Sequence, residues 1–287
     1  MVFVALVWGT TFVLVKQALD DVSTLLFLTL RFTVAALALA LLLNKALRAE
    51  VRNRVLLRRS VRAGVLAGVC LFAGYVFQTF GLKYTTSAKA GFLTGLYIPL
   101  VPLFSAILYK KAPQISELLG VLSAFAGMAL MTIQRDIRSI GVGDLLVMIC
   151  AVAYAFHILV LGRYAADLSV AIISIVQIAT AALLGAASFW WAEPVQIRWT
   201  RPVILALAIT SLLATALAFS MQTWAQQYST ATRTALIFAL EPVFAWVTSY
   251  LVADEVLGPR AIAGAAMILA GILLVEWKPL SVGKIAL

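Results

Sequence analysis

The sequence predicts an all-α membrane protein with ten transmembrane helices, arranged as two inverted five-helix repeats around a central cavity. The first observation is composition: 63% of the 287 residues are hydrophobic and 12% are charged, and the mean hydropathy is +1.04. A soluble domain of this size cannot bury so much apolar surface. The second observation is a series of apolar runs of about 20 residues, the length at which a helix crosses the hydrocarbon core. The third is an internal repeat that pairs the first five runs with the last five.

The ten spans follow from the apolar runs and from the charged residues that separate them. Each run is long enough for a transmembrane helix, and most of the connections are short. We expect spans at about residues 1–19, 22–43, 63–82, 90–109, 117–133, 144–162, 168–192, 203–225, 234–253 and 256–277.

The longest connection predicts the orientation of the spans. Residues 44–62, NKALRAEVRNRVLLRRSVR, hold seven Lys and Arg residues and one Glu. Cytoplasmic loops carry such an excess of positive charge. We therefore expect this loop and both termini in the cytoplasm, and the spans in the inner (plasma) membrane of a bacterial cell. The net charge of +10 is then explained by basic loops beside anionic lipid, and we expect no nucleic-acid partner.

Two similar segments reveal the internal repeat. QTFGLKYTT begins at Gln78, and QTWAQQYST begins 144 residues later at Gln222. The same offset pairs Gly120 with Gly264 and Gly127 with Gly271, and an offset of 146 pairs Trp8 with Tyr154 and Arg31 with Gln177.

A register held over five consecutive spans predicts two repeats, residues 1–138 and 139–287. Because five is an odd number, the second repeat enters the membrane from the opposite side. Inverted repeats of this kind are typical of secondary transporters. Two halves related by an axis in the membrane plane can exchange conformations, and the exchange turns a midplane site from one side of the membrane to the other.

Several short motifs resemble those of a known family. WGTTF at 8–12, LRF at 30–32, the two QT…Y segments and EP at 241–242 resemble the drug/metabolite transporter superfamily, EamA-like branch. Within that branch the chain is similar to amino-acid exporters, particularly the aromatic amino-acid exporter type. The resemblance covers essentially the whole chain. It implies a helical basket whose central cavity is lined by the first, third, fourth, sixth, eighth and ninth spans, and it implies export as the direction of transport.

The repeat indicates which side chains line such a cavity. On a helix, residues i and i+3 share a face, and the six lining spans carry polar or aromatic pairs at equivalent positions. These pairs are Trp8 and Thr11 with Tyr154 and His157, Tyr75 and Gln78 with Phe219 and Gln222, and Thr94 and Tyr97 with Phe238 and Glu241. We expect ten of these residues to bind substrate: Trp8, Thr11, Tyr75, Gln78, Tyr97, Tyr154, His157, Phe219, Gln222 and Glu241.

The alternative role of these side chains is to tie helices together. Interhelical hydrogen bonds in membranes are common and contribute about 0.6 kcal/mol on average. For a single residue this alternative stays open, whereas the recurrence of aromatic and polar groups at equivalent positions favours a cavity.

His157, Glu241 and Arg31 are ionisable residues that lie well inside the predicted spans. We expect His157 to be neutral and hydrogen-bonded rather than to relay protons. Glu241 is expensive to bury as a charge, and its counterpart Tyr97 is neutral, so the two halves cannot contribute equally to binding a substrate's ammonium group. The resemblance suggests a structural role for Arg31, with its guanidinium held by helix-end carbonyls or by an acid. Binding of a carboxylate by Arg31 is the less favoured alternative, because its span lies outside the expected lining.

Prolines predict breaks in the two equivalent spans four and nine. Pro99 and Pro102 interrupt span four, and Pro242 interrupts span nine. A proline removes a backbone hydrogen bond, and breaks in corresponding spans point to a binding site or a hinge. We expect hinges at Pro99 and Pro242, with plain packing kinks as the alternative.

An aromatic and amide-rich lining suits a zwitterionic or uncharged solute with an apolar body. We expect a secondary transporter that exports amino acids, aromatic or bulky hydrophobic ones, by alternating access. The alternative is proton-coupled efflux of drugs or other small metabolites, with Glu241 as the titrating group. A channel is disfavoured because channels gather identical subunits around an axis, and an enzyme is disfavoured because the chain has one His and no recognisable catalytic motif.

The expected partners are a small-molecule substrate and the lipid bilayer, with no cofactor and no metal. Gly64 and Gly68, and likewise Gly91 and Gly95, form GxxxG patterns. These allow close helix packing within a monomer or a weak homodimer.

Overall fold

A computed structural model describes residues 1–50, 53–85, 87–110, 113–132, 141–244, 247 and 258–276. Within these ranges the regular structure is helical, with one isolated bridge between Val22 and Ile197 and no β-strand. The helices are α1 Val2–Ala18, α2 Thr24–Leu42, α3 Asn44–Glu50, α4 Arg54–Tyr84, α5 Ser87–Thr94, α6 Tyr97–Tyr109, α7 Ile115–Thr132, α8 Val142–Tyr164, α9 Val170–Ala192, α10 Arg201–Ser211, α11 Ala218–Ala225, α12 Ala231–Phe238 and α13 Pro259–Glu276. Residues 241–244 are also helical.

Six helical segments in the described residues are long and apolar enough to cross a membrane. They are Thr24–Leu42, Arg54–Tyr84, Ala90–Tyr109, Val142–Tyr164, Val170–Ala192 and Arg201–Ala225, and the shorter apolar helices are Val2–Ala18, Ile115–Leu130 and Pro259–Val275. The prediction of an all-helical membrane protein is confirmed.

These segments coincide in position with nine of the ten predicted spans. The ninth predicted span, 234–253, starts within α12 and continues in the helical residues 241–244. Most of its remainder lies outside the described residues, as does the predicted repeat boundary at 138/139.

The predicted basic loop is largely helical. Residues 44–50 form α3, and α4 begins at Arg54, where the Asn53 side chain accepts hydrogen bonds from the Val55 and Leu56 N–H groups. With 31 residues, α4 is about 46 Å long at the usual rise of an α-helix. That exceeds the roughly 30 Å hydrocarbon core. The basic first turns of α4 can therefore lie outside the hydrocarbon. They are helical there because arginine is a good helix former.

The breaks in spans four and nine precede the prolines. Non-helical turns occur at residues 95–96 and 239–240, which are separated by the repeat offset of 144. Pro99 is the third residue of α6, where a backbone N–H would have no intrahelical partner in any case. Pro102 lies inside α6 without ending it. The prediction that Pro99 and Pro102 themselves break span four is therefore wrong in detail.

A π-helical segment interrupts the eighth predicted span. It covers Leu212–Leu217 and joins α10 directly to α11. The sequence carried no recognised signal for it. Wider turns of this kind are rare and occur frequently at functional sites.

Glycines allow the closest helix contacts. A Cβ added to Gly120 would lie 2.7 Å from the Gly271 carbonyl oxygen, and one added to Gly127 would overlap the Gly264 carbonyl oxygen. These contacts fix the crossing of α7 and α13. Near its centre, the Ser123 hydroxyl donates to the Met267 carbonyl over 2.9 Å.

The first GxxxG pattern packs within the monomer. A Cβ on Gly64 would lie 2.7 Å from Val176 Cβ, and one on Gly68 would lie 2.5 Å from the Gln177 carbonyl oxygen. Both contacts are with α9. The second pattern is used only in part, because Gly95 meets the Met128 side chain whereas Gly91 has nothing within 4 Å.

The connections α1–α2 and α9–α10 are tied together at one end of the helices. Ser23 N–H donates to the Gln196 carbonyl over 2.9 Å, and Arg198 N–H donates to the Asp21 carbonyl over 2.8 Å. The Arg198 guanidinium also lies 3.5 Å from the Asp21 carboxylate. Since each predicted repeat supplies one of these connections, the contacts join the two halves of the chain.

Candidate solute-binding cavity

A cavity lies between the helices of the two halves of the chain. It opens between α1, α2, α4, α5, α6, α8, α11 and α12. Its lining is formed by Trp8, Thr11, Phe12, Val15, Arg31, Tyr75, Gln78, Thr79, Leu82, Thr94, Tyr97, Tyr154, His157, Ile158, Phe219, Gln222, Phe238 and Glu241.

All ten predicted substrate-binding residues contribute to this lining, as do Thr94 and Phe238, the remaining members of the six predicted pairs. Residues from opposite halves of the chain are thus brought to one place. That they bind a solute stays a prediction.

Six lining residues were missed in the sequence. Five of them, Phe12, Val15, Thr79, Leu82 and Ile158, lie four residues after a predicted one and so occupy the same helix face. Extending each i, i+3 pair to i+4 and i+7 would have found them. The sixth, Arg31, comes from α2, which was expected to lie outside the lining. That expectation is wrong for this residue.

Aromatic rings form one wall of the cavity. The Trp8 ring centroid lies 5.1 Å from that of Phe219 and 5.0 Å from that of Phe238. Tyr75 adds edge contacts to Tyr154 at 5.7 Å and to Phe219 at 6.1 Å. Tilted and edge-to-face pairs at these distances are the favoured aromatic geometry, so the rings hold one another in place.

Trp8 is also held by its polar edge. Its indole Nε1–H donates to the Ala214 carbonyl over 2.9 Å. Ala214 belongs to the π-helical segment. The wider turn of this segment therefore supplies an acceptor to a ring of the cavity wall.

Amide side chains line the cavity beside the rings. The Tyr154 hydroxyl donates to Gln78 Oε1 over 3.2 Å, and Gln78 Nε2 donates to Thr94 Oγ1 over 3.1 Å. Gln222 Nε2 donates to Gln226 Oε1 over 3.1 Å. The buried Gln222 Oε1 has no hydrogen-bond partner among the described residues. It is therefore a buried acceptor whose hydrogen-bonding capacity the described residues leave unfilled.

His157 is buried in a hydrogen-bonded chain. Its Nε2 lies 2.9 Å from Gln177 Oε1, and Gln177 Nε2 donates to Thr223 Oγ1 over 3.0 Å. With the Gln177 oxygen as acceptor, His157 Nε2 carries a proton. This arrangement agrees with the expectation of a hydrogen-bonded histidine.

Arg31 is a buried cation with neutral partners. Its Nε donates to Thr215 Oγ1 over 2.7 Å, and its Nη2 donates to the Tyr75 hydroxyl over 2.9 Å. The guanidinium carbon lies 4.4 Å from the centroid of the Tyr75 ring. The sequence predicted helix-end carbonyls or an acid as partners. The structure has two hydroxyls instead, one of them from the π-helical segment.

Glu241 brings a carboxyl group to the cavity at the start of the helical residues 241–244. Among the described residues, ion pairs within 4.0 Å join Lys83 to Glu193 and Arg198 to Asp21. Glu241 and Arg31 therefore line one cavity without forming an ion pair with each other. In the same part of the chain, no group of three His, Cys, Asp or Glu side chains is placed to hold a metal ion.

Comparison with known proteins identifies the family. The model of the EamA-like transporter family matches residues 1–133 and 141–277. The chain belongs to the EamA-like transporter family. This EamA-like protein is 33% identical to an uncharacterized transporter of Archaeoglobus fulgidus, over 97% of this chain and 85% of the relative. It is 23% identical to the uncharacterized transporter YoaV of Bacillus subtilis, over 96% of this chain and 94% of the relative.

A solved crystal structure shares the fold of this EamA-like protein. The two superpose with a TM-score of 0.77 at 20% identity, over 96% of this chain and 95% of that chain. Family and apolar helices together make the protein a multi-pass membrane transporter rather than an enzyme. A transporter of this family would bind a small-molecule substrate and sit in a lipid bilayer.

Proposed function

We propose that this EamA-like transporter is a secondary transporter that exports amino acids, aromatic or bulky hydrophobic ones, by alternating access. The observation that carries the proposal is the cavity lining, in which rings and amides from both halves of the chain meet. Aromatic faces suit the apolar body of such a solute, and the unpaired oxygen of Gln222 suits its ammonium group.

The alternating-access mechanism rests on the proposed inverted repeat, residues 1–138 and 139–287, with ten spans. Support comes from the two separate stretches that the family model matches. It also comes from the α7–α13 crossing. Gly120 meets Gly271 while Gly127 meets Gly264, and the offset of 144 exchanges these two contacts. Reciprocal contacts of this kind are expected where two like elements cross on a two-fold axis.

The same offset supports the position of that axis. Ser123 donates to Met267, and these residues are themselves 144 apart. A residue that contacts its own counterpart lies beside a two-fold axis. We place the axis at this contact. We also propose that spans four and nine bend at their non-helical turns, residues 95–96 and 239–240, next to the proposed hinges Pro99 and Pro242.

The proposed setting is the inner membrane of a bacterial cell, with both termini in the cytoplasm and the protein acting as a monomer or weak homodimer. The basic residues at the start of α4 support this orientation. Gly64 and Gly68 pack on α9 within the chain and are therefore not available for a dimer contact, which favours a monomer or a weak dimer.

Counterflow tests the proposal. Purified protein in proteoliposomes loaded with one unlabelled amino acid should accumulate the same labelled amino acid transiently, and the effect should be largest for Phe, Trp, Tyr and Leu. Counterflow saturates for a carrier and not for a channel. Uptake that stays at the level of protein-free liposomes for every amino acid in the panel would overturn the proposal.

Proton-coupled efflux of a drug or another metabolite is the alternative function. The observation that favours it is a buried carboxyl group, Glu241, in the cavity lining. An imposed pH gradient should then drive transport in the wild type, and Glu241→Gln should abolish this driving force while counterflow of the same solute continues. If the gradient has no effect on the wild type, this alternative is wrong.

A further inference from the structure

We propose that Arg31 binds the carboxylate of the transported solute, so that the cavity selects molecules that carry a carboxylate. The inference rests on the proposed function and adds to it the residue that recognises the acidic end of the amino acid. It is drawn from the state of Arg31 in the cavity wall.

Arg31 carries a positive charge in a place where charge is costly. The residue is 3% exposed and lines the cavity. Buried charges in proteins are normally paired. Among the described residues, however, no carboxylate lies within 4.0 Å of its guanidinium, and its partners are the hydroxyls of Thr215 and Tyr75.

The two hydroxyls orient the guanidinium and leave part of it unused. A guanidinium has five N–H donors in a planar fork that matches a carboxylate. Arg31 gives one donor to Thr215 and one to Tyr75, so three remain. The Tyr75 oxygen accepts from Arg31, and its own proton is therefore free to be donated to the same carboxylate.

The π-helical segment supplies hydrogen-bond partners to both Arg31 and Trp8. Thr215 lies in that segment, as does Ala214, whose carbonyl accepts the indole N–H of Trp8. One irregular turn thus positions both the cation of the cavity and one ring of its aromatic wall. π-Helical turns occur frequently at functional sites.

The cavity also carries acceptors for the other end of such a solute. Glu241 and Gln222 line it, Oε1 of Gln222 has no hydrogen-bond partner among the described residues, and Glu241 does not neutralise Arg31 by direct pairing. A solute with an ammonium and a carboxylate group fills both needs, the ammonium at Glu241 and Gln222 and the carboxylate at Arg31.

The competing role for Arg31 is purely structural, as a tie between α2, Tyr75 and the π-helical segment. The two roles differ in what a solute without a carboxylate would experience. A structural arginine supports binding of every solute equally, whereas a binding arginine supports only those with a carboxylate.

Competition binding separates the roles. The probe is whichever labelled amino acid among Phe, Trp and Leu shows counterflow, bound to purified protein in detergent. The competitors are that amino acid and the amine that lacks only its carboxylate. This amine is phenethylamine for Phe, tryptamine for Trp and 3-methylbutylamine for Leu. Because charge-assisted hydrogen bonds are lost, the amine should compete at least ~10-fold more weakly on the wild type.

Arg31→Gln should weaken binding of the amino acid by ~10-fold or more and leave binding of the amine unchanged. The ratio of the two affinities should then approach one. Arg31→Lys should restore part of the preference, since charge returns without the fork. Arg163→Gln is the matched control, because Arg163 is exposed at the end of α8 and lies outside the cavity lining. It should keep the wild-type ratio.

Equal competition by amine and amino acid on the wild type would overturn the inference, even if the Arg31 variants do not fold. An equal loss of both ligands in a folded Arg31→Gln protein would overturn it in favour of the structural role. If no amino acid shows counterflow, the proposed function fails and the inference fails with it. If an amino acid shows counterflow but the ratio of amine to amino-acid affinity is the same in Arg31→Gln as in the wild type, the inference fails and the proposed function stands.

Discussion

Trp8 is held on three sides within the cavity wall. Its ring contacts Phe219 and Phe238 at centroid distances of 5.1 and 5.0 Å, and its N–H is bonded to Ala214. A ring fixed in this way loses little conformational entropy when a solute stacks on it. Trp8 is therefore well suited to recognise an apolar body.

Trp8→Ala and Tyr97→Ala should raise the half-saturating concentration for aromatic amino acids by roughly 10-fold, and that for small amino acids by less. The reason is that each lost aromatic contact removes about 1–3 kcal/mol of burial and stacking. The measurement is concentration-dependent counterflow with purified, folded variants.

Trp224→Ala is the control for this prediction. Trp224 lies in α11 beside Gln222, but it is 55% exposed and is not part of the lining. It should leave the substrate ranking unchanged. If Trp224→Ala changes the ranking while the two lining variants do not, the cavity is not the binding site.

Equivalent positions of the two halves carry different chemistry. Arg31 is bonded to Tyr75 and Thr215, whereas its counterpart Gln177 is bonded to His157 and Thr223. Likewise, the counterpart of Glu241 in the proposed repeat is the neutral Tyr97. In the proposed repeat, two similar halves would therefore bind a polar, asymmetric solute between them, because equivalent positions carry different side chains.

At the scale of the helices, the crossing of α7 and α13 depends on glycine. Gly120→Ala and Gly127→Ala should each destabilise the protein by ~1–3 kcal/mol, because the added methyl group meets a backbone carbonyl that cannot move without shifting a helix. The measurement is the midpoint of thermal unfolding in detergent, which should fall for both variants.

Gly91→Ala is the matched control. No atom of the described residues lies within 4 Å of the added Cβ, and alanine is favoured over glycine inside a helix by about 1 kcal/mol. Its unfolding midpoint should stay the same or rise. A midpoint that falls as far for Gly91→Ala as for the other two would show that the crossing is not the cause.

The hinge prediction concerns the breaks in spans four and nine. Pro99→Ala and Pro242→Ala should lower turnover by roughly 10-fold, equivalent to about 1.4 kcal/mol in the barrier. Binding affinity should change little, because the prolines follow the breaks and lie outside the lining. Binding in detergent and initial transport rates on the same preparations decide between the two effects.

Pro202→Ala is the comparison variant, since Pro202 lies in the first turn of α10, away from both breaks. It should transport normally. Large and equal losses of binding in Pro99→Ala and Pro242→Ala would instead make these prolines structural.

At the scale of the whole molecule, the orientation in the membrane can be tested with single cysteines. Arg54→Cys should react with an impermeant thiol reagent only from the cytoplasmic side, because α4 begins there with a run of basic residues. Asp20→Cys should react only from outside. Both positions are exposed, and Asp20 avoids the ion pair that Asp21 makes with Arg198.

These variants require a background without Cys70 and Cys150, of which the first is partly and the second fully buried. That background protein should not react from either side. Labelling of Arg54→Cys from outside, together with Asp20→Cys from inside, would reverse the orientation of every connection.

The sequence by itself determined the helical class and the positions of most spans, and together with the family resemblance, which supplied the six lining spans, it gave ten members of the lining. The sequence signals run along one dimension. Apolar length reports the thickness of the bilayer, and a nearly constant repeat offset reports which positions are equivalent. Positions i and i+3 on one helix share a face whatever the helix packs against. The same local rule extended to i+4 would have added Phe12 and Ile158.

Only the tertiary structure decided where Arg31 points, how its charge is satisfied and which helices the glycines join. Arg31 meets Thr215, which lies 184 residues away along the chain, and Gly120 meets Gly271. The π-helical turn that presents Thr215 has no local sequence pattern. Such contacts arise from the way whole helices are packed, and neither apolar length nor periodicity along a helix carries information about its neighbours.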